Sequence, residues 1–302
     1  MSYPIIELPE NAPTQFEQLG TKTKFWYRDQ KERSMLFKQG RPGTGENWAE
    51  KVCCEICRHL EIPHAEYDLA IWKGIQGVVT PSFVPEGGRL VLGNELLAKI
   101  INEYDEGSRY QVRQHTVRTV MAVTSSKVIG LPLGWLAPPK EIKDAASIFV
   151  GYLMLDALVG NQDRHHENWG LVWVPQQGVF FAPTFDHASS LGRNETDSTR
   201  TEILSTNDRG RSIEAYIARA KSALFATPTS SKPLKTLDAF LKAAKIRPDA
   251  AEYWLKQLAK INYEDFKAIL AEVPSSEISV LARNFAGRML EFNTQRIRAS
   301  LA

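Results

Sequence analysis

The sequence lacks most of the marks of a secreted, membrane or nucleic-acid-binding chain. Only three cysteines occur in 302 residues, and all of them, Cys53, Cys54 and Cys57, fall between Lys51 and Cys57. An odd count within one helical stretch is no disulfide framework. Core packing is their expected role; the alternative is a metal site in which Cys53 and Cys57 join His59 or His64. No apolar run is long enough to span a bilayer, and Met1-Ser2-Tyr3-Pro4 does not open a signal peptide. A formal net charge of +2 falls short of the basic excess that direct nucleic-acid binding requires. Internal repeats, low-complexity tracts, a GxxxxGK[ST] loop and an HExxH pair are also missing. A cytoplasmic protein with neither membrane nor nucleic-acid contact is therefore expected. The 43% hydrophobic and 24% charged residues are ordinary, and the length allows two lobes with a sizeable core.

What is present is a crowded polar loop. Gly160-Asn161-Gln162-Asp163-Arg164-His165-His166-Glu167-Asn168-Trp169-Gly170 lies between an apolar helical stretch, Asp144 to Val159, and the strand-like run Leu171-Val172-Trp173-Val174. A second strand candidate, Val179-Phe180-Phe181, follows the turn Pro175-Gln176-Gln177-Gly178 and leads to Thr184-Phe185-Asp186-His187. The order is helix, polar loop, hairpin, Asp. A structural loop has no need of so many ionisable groups, so the crowd reads as functional.

Upstream, Lys24-Phe25-Trp26-Tyr27 and Ser34-Met35-Leu36-Phe37-Lys38 read as a hairpin. The Gly/Pro segment from Gly40 to Gly45 then precedes a helix whose Trp48, Val52, Ile56 and Leu60 recur at helical spacing until Pro63. Strands are expected again at Tyr67 to Ile71 and Gly77 to Thr80. Between 86 and 140 helices are expected at Asn94–Tyr104 and Gln114–Val123, among turn signals. Ser189 to Arg211, rich in Ser, Thr, Arg and Gly, reads as a long mobile loop. Helical patterns then recur at 212–225, 233–245, 248–260, 263–272 and 276–300.

These pieces match the needs of phosphoryl transfer from a nucleoside triphosphate. That chemistry takes a cation for the phosphates, hard oxygen ligands for one or two Mg²⁺, and a carboxylate to orient the acceptor hydroxyl. Asp163 suits the last role, Asn168 and Asp186 the metal. Lys38, ending an apolar strand, suits the phosphates, with Glu50 as its partner. Gly20-Thr21-Lys22-Thr23 is a turn small enough to lie over phosphates. Taken singly, Lys38 and Glu50 read as surface residues and Gly20 to Thr23 as a plain turn. A competing metal centre built from Asp163, His165, His166, Asp186 and His187 lacks ligand spacing, because adjacent histidines in a short loop do not point the same way.

Asp163-Arg164-His165-x-x-Asn168 followed by Phe185-Asp186 resembles the HipA-like serine/threonine kinases of bacterial toxin–antitoxin modules. The D-R-H-x-x-N order is also similar to that of phosphatidylinositol kinases. Leu36-Phe37-Lys38 resembles the strand of the ATP-binding lysine, and Ala49-Glu50-Lys51 the helix of its glutamate partner. Gln162, rather than a histidine, precedes Asp163, which separates the chain from classical protein kinases and aminoglycoside phosphotransferases. The resemblance implies an α+β, two-lobed protein-kinase-like fold of the kinase-core type. A small mixed N-lobe would span 1–85 and a large, mainly helical C-lobe 86–302. It further implies ATP and Mg²⁺ as cofactors, Asp163 as catalytic base, Asn168 and Asp186 as Mg²⁺ ligands, and Lys38 at the phosphates. Ser82, Phe83 and Val84 would form the hinge that receives adenine. The implied partners are a protein substrate with a Ser/Thr acceptor and an antitoxin protein, and Thr21 and Thr23 lie where some relatives autophosphorylate a serine. A nucleotide-binding pseudokinase and a lipid or small-molecule kinase are the alternatives.

Overall fold

The computed structural model describes residues 2–16, 22–135 and 137–300. Strands β1 (Ile5–Leu8), β2 (Gln15–Phe16), β3 (Lys24–Arg28) and β4 (Ser34–Gln39) precede helix α1 (Glu46–His59), and β5 (Asp68–Trp72) and β6 (Ile75–Pro81) follow it. They form one sheet in the order β1-β5-β6-β4-β3-β2. β1 runs parallel to β5, and the other neighbours are antiparallel. Alternation decides which residues face which way. Phe25, Tyr27, Met35, Phe37 and Trp72 pack on one face, with Phe25 stacked on Phe37 at 4.9 Å. Lys38, next in sequence to Phe37, must point to the other face, which it shares with its cross-strand partner Val78. There Val78 packs with Cys54 of α1, so the lysine emerges beside that helix.

The second part begins with β7 (Arg89–Leu92), α2 (Gly93–Ile100), α3 (Val117–Thr124) and β8 (Ile129–Gly130). Helix α4 (Ala145–Val159) leads to the hairpin β9 (Gly170–Val174) and β10 (Gly178–Phe181). These strands form a small sheet ordered β7-β9-β10-β8. Six helices follow: α5 (Asp197–Ser205), α6 (Ile213–Ala218), α7 (Thr236–Ile246), α8 (Pro248–Ala259), α9 (Tyr263–Ala271) and α10 (Val280–Ala299).

Every residue of α4 is buried, as expected for a helix apolar on all sides. It packs against α3, α7, α8 and α10 and so forms the axis of this part. Asp144 caps its start by accepting a 2.8 Å hydrogen bond from the Ser147 amide. Gly160 ends it at φ 68°, a left-handed conformation that costs glycine little and turns the chain sharply into the polar loop.

The structure corrects the expectation of a long mobile loop over Ser189 to Arg211, which contains α5. That helix is mostly polar: Ile203 and Leu204 pack on the cluster of Ile213, Ile217, Phe285 and Met289, and hydrogen bonds anchor the rest. Thr196 caps its start; Asp197 accepts from Arg200 at 2.7 Å and from Ser279, at the start of α10, at 2.8 Å. Arg200, which α5 buries, donates to the Gly192 carbonyl at 3.1 Å. Cys53, Cys54 and Cys57 are buried and form no disulfide.

Candidate active site

Four segments converge: the end of β4, the first turns of α1, the loop after α4 and the segment after β10. Lys38 Nζ lies 3.0 Å from Asp186 Oδ1 and 3.8 Å from Glu50 Oε2. Burial opposes the charge on Lys38, but Asp186, Tyr67 and Glu50 outweigh it and hold its pKa well above the usual value. Burial likewise opposes ionisation of Asp186, yet Lys38, with Lys24 and Lys22 farther off, keeps its carboxyl well below the usual range. The pair is therefore ionic at any ordinary pH.

Asp186 itself adopts φ 60°, an uncommon left-handed conformation that aspartate tolerates better than most residues. Its neighbours hold it there. The Asp186 amide donates to the Tyr67 hydroxyl at 3.4 Å, and the His187 amide donates to Glu50 Oε1 at 2.7 Å. His187 is buried, with its Nε2 2.8 Å from the Thr184 hydroxyl. Glu50 thus faces both Lys38 and the backbone beyond Asp186, a double task that its buried position on α1 makes possible.

The loop after α4 is organised by a buried ion pair. Arg164, fully buried, donates from Nε and Nη2 to the two carboxylate oxygens of Asp156, each at 2.8 Å, and from Nη1 to the Asn168 carbonyl at 2.8 Å. Asn161 adds a 2.8 Å bond to Asp156. Asn168 Nδ2 donates to the Asp163 carbonyl at 2.7 Å, so its amide oxygen takes no part in that bond. The Asp163 carboxylate accepts from the Tyr110 hydroxyl on Oδ1 and from Ser189 Oγ, at 3.3 Å, on Oδ2. Beside it lies a cleft of about 270 Å³ lined in part by Tyr110, Gln162, Ser189, Lys221 and Phe225.

The two histidines of the loop diverge: their rings stand at 90°, 6.3 Å apart. His165 lies 3.6 Å from Asp163, whereas His166 faces the Tyr104 hydroxyl at 2.7 Å. Behind them Trp169 Nε1 donates to His115 Nε2 at 3.0 Å, so His115 carries its proton on Nδ1. Burial, reinforced by His166, pushes His115 down to about 3 and keeps it neutral. Among the described residues these rings join no group of ligand atoms close enough to share an ion. Glu167 is taken up by Arg109 at 2.8 Å.

Of the proposed phosphate turn, Gly20 and Thr21 lie outside the described residues. Lys22 pairs with Glu46 at the start of α1, and the Thr23 amide donates to Gln39 Oε1 at 3.2 Å. Glu46 also accepts from Arg193, which donates to Ser189 Oγ at 3.1 Å. A chain of polar contacts therefore runs from Lys22 through Glu46, Arg193 and Ser189 to Asp163. In the segment after β6, the hydroxyl of Ser82 accepts from the Val84 amide at 3.2 Å, and Phe83 stacks on Phe185 at 5.6 Å. Sequence reasoning missed Tyr67, Tyr110, Asp156, Glu46 and Arg193. Asp156 alone left a signal, as the one carboxylate within an otherwise apolar helix.

No protein-family profile and no curated protein matches the sequence. Solved structures do. The chain is similar to a Helicobacter pylori proinflammatory kinase, CtkA, with TM-score 0.73 over 97% of this chain and 96% of that one, at 21% identity. It is also similar to a chain from the Shewanella oneidensis MR-1 toxin–antitoxin complex of HipA, HipB and operator DNA. There the TM-score is 0.57 over 97% of this chain and 70% of the other, at 13% identity. The fold is thus the α+β, two-lobed, HipA-like kinase fold, with a mixed-sheet N-terminal part and a helical C-terminal part.

Proposed function

We propose that the protein is an ATP- and Mg²⁺-dependent phosphotransferase that phosphorylates serine or threonine hydroxyls on a protein. One observation carries the reading: Lys38 and Asp186, far apart in sequence, meet at 3.0 Å beside Glu50, and Ser189, three residues beyond Asp186, bonds the Asp163 carboxylate of the loop that holds Asn168. The donor set fits the metal, since a carboxamide oxygen and a part-exposed carboxylate are the hard ligands Mg²⁺ prefers. Asn168 and Asp186 would hold it, and when bound it neutralises phosphate charge. Lys38, kept protonated by its carboxylate neighbours, would exchange Asp186 for phosphate oxygens. Residues 82–84 would border the adenine, and Lys22 and Thr23 would approach the phosphates. Asp163 would accept a hydrogen bond from the acceptor hydroxyl and orient it for in-line attack. The lobes would divide near residue 85. An antitoxin protein is the partner class that this reading adds, by analogy with HipA and HipB.

The direct test is transfer of labelled γ-phosphate from ATP, with Mg²⁺, to the chain itself or to an added protein, the modified residues being located by mass spectrometry. Asp186→Asn is expected to lower this transfer at least about a hundredfold and to weaken Mg²⁺-dependent nucleotide binding. Unchanged metal dependence in that variant would contradict the assignment.

Tyr110 gives a second handle. Burial and its bond to Asp163 raise its pKa, so its hydroxyl remains a donor and occupies the place an acceptor hydroxyl would take. Tyr110→Phe is expected to raise kcat/KM for the protein acceptor about fivefold, the equivalent of one competing hydrogen bond of ~1 kcal/mol. Nucleotide affinity should not change. A fall in kcat instead would mean that Tyr110 positions Asp163.

A further inference from the structure

We propose that Cys54, His64 and Glu66 form a binding site for a thiophilic divalent cation, zinc foremost, one turn beyond Glu50 on α1. Their ligand atoms all lie within 4.8 Å of one another. Two of the separations are close to those of ligands that share a zinc ion, one through each oxygen of Glu66. Glu66 Oε1 lies 3.5 Å from His64 Nε2, and Glu66 Oε2 lies 3.6 Å from Cys54 Sγ. Zinc–ligand lengths of about 2.0–2.3 Å place tetrahedral ligands roughly 3.4–3.7 Å apart.

The second observation is an orphaned atom. His64 Nδ1 lies 2.6 Å from the Ile62 carbonyl and must carry its proton there. That leaves a lone pair on Nε2, which is shielded from water and has no hydrogen-bond partner. The side chain is only 9% exposed. The Nε2 lone pair lies 3.5 Å from Glu66 Oε1, a repulsive approach that a cation held between the two atoms would relieve. An Nδ1–H bonded to a backbone carbonyl is also the usual outer support of a zinc-bound histidine.

Cys54 and Glu66 complete the set. The Tyr67 amide donates to Cys54 Sγ at 3.3 Å, an interaction that favours a thiolate. Binding a cation would displace the thiol proton of Cys54. Glu66 is half exposed and gives a route from solvent. Arg58 pairs with Glu66 and stands in as the cation there. The segment is held in place by two bonds to Thr184: the Ala65 amide donates to its carbonyl at 2.8 Å, and its own amide donates to the Pro63 carbonyl at 2.9 Å. Cys54 lies one turn beyond Glu50 on α1, and Thr184 immediately precedes Phe185-Asp186. A bound ion would therefore tie the Glu50 helix to the strand segment leading to Asp186.

The test uses the full chain, freed of metal with a chelator and titrated with Zn²⁺ or Co²⁺. One Zn²⁺ per chain is expected, with Co²⁺ giving a thiolate charge-transfer band. An upward melting shift of about 5 °C is expected at a hundredfold excess of zinc over Kd. Cys54→Ser should abolish the band. Glu66→Gln, a half-exposed position that tolerates change, should weaken zinc binding at least about tenfold. Arg58→Ala should tighten it by removing the competing cation. Absence of the thiolate band in the wild type, or its persistence in Cys54→Ser, would overturn the proposal. None of these measurements depends on phosphoryl transfer, so they stand apart from the catalytic reading.

Discussion

Asp163→Asn is expected to reduce phosphoryl transfer about a thousandfold while leaving nucleotide affinity within about twofold of wild type, the size of effect typical of a removed general base. The separation follows from the geometry. Lys38, Asp186 and Asn168, the groups proposed to meet the nucleotide and metal, do not depend on the Asp163 carboxylate: Asn168 bonds its backbone carbonyl. The side chain meets two donors, Tyr110 and Ser189. Asparagine can accept from only one of them, and its NH2 would face the other. Orientation of the acceptor hydroxyl is then lost, although the loop keeps its shape. Single-turnover kinetics and calorimetric nucleotide titration on the same preparation measure the two halves. Transfer at wild-type rate would sink the catalytic assignment, and loss of nucleotide affinity would move Asp163 into the nucleotide site.

The second large effect is on stability. Arg164→Met is expected to cost about 3–5 kcal/mol, because it strands the Asp156 carboxylate in the core without a countercharge. Asp156 is only 1% exposed and Arg164 fully buried, so water cannot replace the lost partner. The same change frees the Asn168 carbonyl and should loosen the register between Asp163 and Asn168. Combining it with Asp156→Asn is expected to recover much of the loss, since the second change removes the stranded charge. Urea unfolding of the two single variants and the double variant reads the coupling. A single-variant loss below about 1 kcal/mol would mean that the pair does not anchor the loop.

Much of this was legible because it is local. The four-residue recurrence of Trp48, Val52, Ile56 and Leu60 marked α1, and an apolar run interrupted only by Ser147 and Asp156 marked α4 as an interior helix. Alternation around Phe25 and Phe37 marked the β3–β4 hairpin. The Ser189 to Arg211 segment was misread for a physical reason: its helix has only Ile203 and Leu204 as apolar anchors and is otherwise held by capping and the Asp197–Ser279 contact, and composition carries no trace of a long-range hydrogen bond. Tyr110 escaped notice because nothing in its neighbourhood distinguishes an exposed tyrosine that reaches Asp163.

The sequence by itself determined the inventory: an α4-type buried helix, a polar loop closed by a hairpin, an aspartate beyond it, and an upstream lysine strand followed by a glutamate helix. Each of these rests on periodicity or turn chemistry over a few neighbouring residues. Only the tertiary structure decided what meets what. It brought Lys38 to Asp186, fixed Glu50 between them and the His187 amide, and set Arg164 on Asp156. It also enclosed His64 Nε2 with Cys54 and Glu66. Such pairings depend on the relative placement of a sheet and a helical core, which is settled by packing of the whole chain and leaves no local signature.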